Sequence, residues 1–450
     1  MQTQMAGVNT AGQNIANVNT PGYSRQRVDI TTTPDLATNG GYAGTGSQVA
    51  GIQQIVSNLL NGQIQSNGSD LGYQQGRQTA LQSTQDALGE FLNSTNGVSS
   101  SGLSSQLSSL FSAFQGVATS PNSISARQAL IGAAQNLATG FNQVSQQFGT
   151  LKTALNTTVS SGVDSANQLL SQVADLNKQI STAEFSGGSA NDLRDQREQA
   201  LENLSKLANI STSTDSLGQI NVSIGGQSLV SGRQQLDSLQ TYDGGSGQLL
   251  VQTATGGASV ALTSGSIQGT IEAGDNDLGD MQTKLDALAS NLISAVNSVH
   301  NGGFSPSGTT GASFFNGTDA SNISVNQSLA DNPSLIQTSG SVTGTSDNSI
   351  ALQLSQLAST AQSGLGNQTL GDFYNAAVTT LGTSLNDANT QVTNQSAVAD
   401  MLTTQRGSVS GVNIDEEMTN LLTFQRSYTA SAELLKTVDQ MIQTTLGLKT

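Results

Sequence analysis

The 450-residue chain has no cysteine and no tryptophan, a single histidine, five prolines and only 4% aromatic residues. Without cysteine there can be no disulfide and no thiolate chemistry. One histidine, His300, excludes a two-histidine metal site and leaves any Ser-His triad resting on that residue alone. Charged residues make up 10% of the chain and hydrophobic residues 35%, a mixture that favours thin cores and extended layers over one thick globule. The charge is lopsided: 31 acidic against 15 basic residues give a formal −16. Phosphate binding needs clustered Lys and Arg, so nucleic acid and anionic membranes are poor partners. No apolar run approaches the roughly 20 residues that span a bilayer. The opening residues, MQTQMAGVNT, lack the basic and apolar regions of a secretory signal peptide, and on that ground alone a cytoplasmic location is expected.

Chemistry is hard to find. Asp275, Asp277 and Asp280 resemble the start of a calcium loop, but that loop needs Gly at its sixth position and Glu at its twelfth, where Asp280 and Asp286 stand. Capping of a helix that starts at Met281 is the better reading. Glu416 and Glu417 are neighbours on a predicted helix and are expected to point apart, so they cannot share a substrate. Arg194/Glu198 and Glu202/Lys206 have the spacing of ion pairs on a solvated helix face. His300 follows the last apolar residue of a helix and precedes Asn301-Gly302-Gly303, which suits a role at a helix C-terminus. There is no phosphate-binding glycine loop. No catalytic residue, metal site or cofactor is expected, and the chain does not read as an enzyme.

What is present is periodicity. Leu421, Phe424, Tyr428, Ser431, Leu435, Val438 and Ile442 alternate in steps of three and four, the seam of a helix that packs along another helix. Asn413 can cap its start, Asp415, Glu416 and Glu417 suit the first turn, and Lys436 and Lys449 lie toward the other end. Such a helix is marginal alone, so the stripe must find a partner, either on its own chain or on neighbouring subunits.

The remaining chain falls into segments. Residues 1–50 form an N-terminal segment, a short helix that ends near Asn17 or Asn19 in the left-handed conformation, followed by a type II turn at Pro21-Gly22. Residues 51–208 read as a helical rod: one helix from Gly51 (Ile52, Ile55, Val56, Leu59, Leu60), one at Leu81–Leu92 including Phe91, and one at Leu103–Val117 ended by Pro121. A strict run from Leu130 to Leu155 continues as Val163–Ile180; as one helix it would be roughly 90 Å long, with Gly162 a plausible bend or break. Another helix opens at Asn191. Residues 209–275 change to period two (Ile220, Val222, Ile224, then Leu229-Val230, Leu249–Val251, Val260–Leu262 and Ile267) and read as a β-rich domain. Helix returns over 276–300, loops and strands over 301–350, rod helix over 351–407, and the seam helix over 408–450. The fold class is mainly α with a β-rich insertion: terminal coiled-coil helices, a long-helix bundle and a β-layer middle domain. The nesting places the two termini side by side.

The string Asn14-Ile15-Ala16-Asn17-Val18-Asn19-Thr20-Pro21-Gly22-Tyr23-Ser24-Arg25-Gln26 closely resembles the N-terminal motif of bacterial flagellar rod, hook and hook-associated proteins. Ser410–Glu417, Phe424-Gln425-Arg426-Ser427-Tyr428 and Ala430-Ser431-Ala432 look like their C-terminal signature. Pro121 with Ala126–Leu130, Asn191–Arg197, Leu229–Gly232, Ala295-Val296-Asn297 with His300, and Phe314-Phe315 narrow the resemblance to the hook-associated protein 1 family, over nearly the whole chain. The resemblance implies a ring of subunits at the hook–filament junction, self-assembled through Asn14, Ile15, Asn17, Thr20, Pro21, Gly22, Tyr23, Arg25 and Gln26 at one end and Leu421, Phe424, Tyr428, Leu435, Val438 and Ile442 at the other. The terminal helices would line an inner tube and the middle domains would face outward. It further implies export through the flagellar type III channel without a cleaved signal, hence an extracellular place on the flagellum. The partners implied are the hook protein, hook-associated protein 3 and an export chaperone. Only thirteen residues precede Asn14, whereas the family pattern has a longer apolar-periodic helix there, a departure that bears on the N-terminal inner-tube helix. The alternative reading is a secreted adhesin or effector that binds surfaces through the β-rich region; an enzyme such as a wall hydrolase ranks behind both.

Overall fold

The computed structural model describes residues 1–38, 40–89, 102–185, 187–245, 247–343 and 346–447; the expectations at Phe91, Leu92 and Lys449 lie outside them. A short helix, α1 (Gln2–Ala16), leads through a turn into a two-stranded ribbon, β1 (Gln26–Thr32) against β4 (Ser47–Gln54), extended by β2 (Leu36–Thr38) and β3 (Gly41–Ala43). Gly51 and Ile52 therefore lie on a strand, with Val28 opposite Ile52, and the first rod helix starts seven residues later than the apolar pattern suggests. A short apolar run fits either period, and the pairing with β1 decides it. Helix α2 (Asn58–Leu88), capped by the Ser57 hydroxyl, is one continuous element where two were expected. Its buried face is small and polar, including Asn67, Ser69, Gly72 and Thr84, which hides it from hydrophobic periodicity.

Helices α3 (Leu103–Thr119) and α4 (Ile124–Glu184) follow, with the Ser123 hydroxyl capping α4. At 61 residues α4 is a rod of about 90 Å. Gly162 does not break it: a Cβ there would lie 2.9 Å from the Ile267 side chain, so the glycine lets a second element approach. Helix α5 (Asn191–Leu207) turns back along the rod. A meander of β5 (Ile210–Thr214), β6 (Ile220–Ile224), β7 (Gln227–Ser231) and β8 (Gln234–Gln235) then packs on α4 and α5, and β9 (Leu239–Asp243) pairs with β10 (Leu249–Thr253). The β6–β7 turn uses Gly225-Gly226 at φ 55° and 82°, the backbone of a hairpin turn that only glycine adopts readily.

Ile267 is not on a strand. It belongs to α6 (Ser266–Glu272), which continues through a π-helical turn, Ala273–Asp277, into α7 (Leu278–His300). Asp275, Asp277 and Asp280 thus sit along a helix that is already running and cap nothing; Asp277 instead pairs with Arg77 of α2 at 3.3 Å. Short strands β11 (Phe315–Asn316) and β12 (Ser324–Val325), helices α8 (Gln327–Asp331) and α9 (Ser349–Gln356), and the long α10 (Leu370–Ser410) complete the body. Gly407 lies within α10, and α11 (Ile414–Gly447) ends the described chain.

Two apolar cores share α4. One gathers its first half with α3, α7, α9, α10 and Phe314-Phe315; the other gathers its second half with α5, α6 and the β5–β10 strands. Asparagines on α4 and α7 fasten neighbouring chain to these helices. Asn167 donates to the Leu239 carbonyl and accepts from the Leu239 N–H, and Asn177 and Asn297 hold residues 220–232 and 314–315 in the same two-sided manner. Each amide stands in for a strand edge, so the buried backbone stays paired.

His300 ends α7, as expected, but not as a cation facing the helix dipole. It is fully buried; Nδ1 donates to the Ala312 carbonyl and Nε2 accepts from the Gln337 N–H. Burial, with the nearby Arg127 guanidinium, pulls its pKa down to about 4. Arg127 is itself buried, and it donates to the Pro121 and Ile336 carbonyls and the Thr338 hydroxyl. Because the folded pKa lies below the unfolded value, the stabilisation is complete above about pH 6.5 and is lost as the unfolded chain takes the proton between about 6.5 and 4. Thermal melts should show the body losing about 2–3 kcal/mol across that window, and His300→Gln should flatten this part of the pH profile.

Candidate assembly site at the paired chain ends

α1 and α11 run antiparallel, with Asn14 against Glu417 at one end and Gly7 against Phe424 further along. A Cβ on Gly7 would lie 2.6 Å from the Phe424 ring, so glycine is what lets the ring lie flat on α1. The α1 face turned inward is small: Thr3, Gly7, Thr10, Ala11 and Asn14. Leu421 and Phe424 are half-buried there. α1 has 15 residues and α11 has 34, so the pairing uses only the first half of α11. Tyr428, at the edge of the pairing, is 37% exposed, and beyond it the stripe is bare: Leu435 is 56%, Val438 43% and Ile442 52% exposed. The seam therefore meets one of the two partners that its sequence allowed, its own chain, over one half; the other half has no partner among the described residues.

The N-terminal motif gathers at the start of α11. Asn14 is fully buried; its amide donates to the Gln26 carbonyl (2.8 Å) and to Glu417 (3.0 Å), while its oxygen accepts from the Gln26 N–H and the Tyr23 hydroxyl. All the hydrogen-bonding capacity of one amide thus joins helix, turn, strand and the opposite chain end. Thr20-Pro21-Gly22-Tyr23 forms the expected type II turn, with Gly22 at φ 79° and the Tyr23 N–H on the Thr20 carbonyl. Neither Asn17 nor Asn19 is left-handed: Asn17 sits at φ −102° and its side chain donates back to the Gln13 carbonyl, closing the helix without positive φ. Ile15 is half-buried on α1.

Arg25 is the bridge to α11. Its Nε meets Glu417 and its NH1 meets Glu416, both at 2.8 Å, so these neighbouring carboxylates do converge, on opposite ends of one long guanidinium. Asn413 caps α11 as expected, accepting from the Asp415 N–H at 3.0 Å. Burial, then the charges of Asp192, Asp195 and Glu417, push the Tyr23 hydroxyl up to about 12, which keeps it a hydrogen-bond donor.

α5 supplies what the sequence reading placed in solvent. Asp195 accepts from the Ser24 N–H, and Gln54 and Gln26 reach Asp195 and Asp192. The expected i,i+4 ion pairs of α5 are replaced by longer links: Arg194 to Glu184 of α4, Gln65 of α2 to Glu198, and Arg406 of α10 to Glu202. Burial lifts the pKa of Glu198 and of Asp195. The charged string was the available signal, but the partners of Asp192, Asp195, Glu198 and Glu202 lie more than a hundred residues away, on one side or the other.

Residues 89–315 match the family described as flagellar hook-associated protein FlgK helical domain, and residues 405–448 match the flagellar basal body rod FlgEFG protein C-terminal family. The chain is 29% identical to flagellar hook-associated protein 1 of Bacillus subtilis, over 98% of this chain and 95% of that protein. It is 25% identical to the protein of the same name from Escherichia coli, over 100% and 98%. In fold it is similar to the flagellar hook junction protein FlgK of Burkholderia pseudomallei, with a TM-score of 0.65 and 19% identity, covering 79% of this chain and 100% of that one. Among the described residues no helix is long and apolar enough to cross a membrane. The chain belongs to the flagellar hook-associated protein FlgK family, the structural, non-enzymatic proteins of the hook–filament junction, and is a component of the flagellum outside the cell.

Proposed function

We propose that the chain works at the junction as one subunit of a ring, self-assembled through the bare half of α11. Leu435, Val438 and Ile442 continue a heptad seam with no partner among the described residues, and this single observation carries the reading. Copies of α11 bury the stripe against one another and line an inner tube; the rod and the β strands face outward. Leu421, Phe424 and Tyr428 join the seam to α1, while Asn14, Ile15, Asn17, Thr20, Pro21, Gly22, Tyr23, Arg25 and Gln26 fix the angle at which α11 leaves the body. The hook protein below, hook-associated protein 3 above, and an export chaperone that shields α11 before passage through the type III channel are the partners of this scheme. A polar, cysteine-free and acidic chain suits such a passage. The test is imaging of flagella in a strain that lacks the protein. Bare hooks with filament protein shed into the medium are the expected result, and a copy deleted for residues 210–262 should still restore filaments. Normal filaments without the protein would overturn the assignment.

A further inference from the structure

The molecule divides at an elbow. On one side stand α1, the β1–β4 ribbon and α11; on the other, everything from α2 to α10. Two short linkers cross between them, residues 55–57 and residues 411–413, side by side with Arg25: the Ile55 N–H donates to the Arg25 carbonyl and the Arg25 N–H to that of Ser410. At Gly411 a Cβ would lie 2.2 Å from the Gly407 carbonyl oxygen, so the exit from α10 admits only glycine. Among the described residues, neither apolar core includes any residue of α1, the ribbon or α11.

What holds the two sides is polar and local. Apart from the Arg25–Ser410 backbone bond at the linker, the hydrogen bonds between them land on the start of α5. The Gln26 amide donates to Asp192 and accepts from Asn191; the Gln54 amide donates to Asp195 and to the Asn191 carbonyl; Asn191 also donates to the Ile52 carbonyl, and the Ser24 N–H donates to Asp195. A tie of hydrogen bonds without apolar burial is worth little per bond and is lost when a few partners are removed, whereas a packed core is not. Short linkers that absorb the backbone change are the usual form of a hinge.

We propose that residues 55–57 and 411–413 are a hinge, and that Asn191, Asp192 and Asp195 of α5 are the latch that fixes the direction of α11 relative to the body. The latch sets the angle at which the bare seam is offered. Opened, it lets the terminal pair swing as a unit, with the Asn14–Glu417–Arg25 cluster intact because that cluster lies wholly on the terminal side.

The chain has no cysteine, so spin labels can be placed at two chosen sites, Thr404→Cys on α10 and Thr423→Cys on α11, both exposed. Pulsed electron–electron double resonance on the full chain with an intact latch should give one narrow distance. Gln26→Ala with Gln54→Ala, and the same pair with Asp195→Ala, should each broaden it roughly twofold or shift it, with helicity unchanged by circular dichroism. An equally narrow distance in both variants, or a broad one with the latch intact, would overturn the proposal. So would loss of helicity in both, since the contacts would then be part of the core.

Discussion

Leu435→Asp is expected to abolish filament attachment while leaving the chain folded. Leu435 is 56% exposed and touches neither core, so its loss should change the stability of the isolated protein by no more than about 0.5 kcal/mol. In an assembled seam the same position gives up roughly 1.5–3 kcal/mol of apolar burial and places a carboxylate where water is excluded. At 1.4 kcal/mol per tenfold, each interface weakens on the order of a hundredfold or more. The measurements are swimming radius in soft agar, electron microscopy of the hooks, and a thermal melt of the purified variant. Full motility would count against the seam; a large fall in melting temperature would mean that Leu435 serves the fold instead.

Gly269→Val should do the reverse and unfold the body. A Cβ at Gly269 on α6 would lie 2.0 Å from the Tyr73 carbonyl oxygen of α2. No side-chain rotation relieves a clash with backbone, so the two helices must separate. The same crossing depends on Gly76, whose Cβ would lie 2.5 Å from the Ser266 oxygen, and the neighbouring contact of α2 with α5 depends on Gly72, 2.1 Å from the Lys206 oxygen. A cost of at least about 4 kcal/mol is expected, a large part of a typical domain's stability. Denaturant melts read it directly; a variant as stable as the parent would show that the helices pack less closely than described.

Why some of this could be read from the sequence and some could not follows from range and chemistry. The rod α4 and the seam of α11 were legible because each writes its partner's presence into a regular apolar stripe. Asn413 and the Pro21-Gly22 turn were legible because a cap and a turn are decided within four residues. Helix α2 was misjudged because it packs through glycine and polar side chains, which leave no stripe, and the start of β4 because its pairing partner settles a run that fits either period. The largest gap was the first turn of α5. Asp192 and Asp195 look like solvated charges until Ser24, Gln26 and Gln54 are brought onto them from the far end of the chain. The N-terminal motif was recognisable as a string, but the reason for Asn14, four hydrogen bonds at a buried crossing, appears only in three dimensions.

The central claim is that α11 is half-partnered alone and fully partnered in the flagellum. Amide hydrogen exchange of residues 432–447, compared between the purified chain and the assembled junction, tests it most directly. The account predicts exchange near the unprotected rate in the isolated chain, slower exchange over residues 414–431 where α1 lies alongside, and slowing by at least about a hundredfold over 432–447 on assembly. Equal protection of that segment in both states would contradict it.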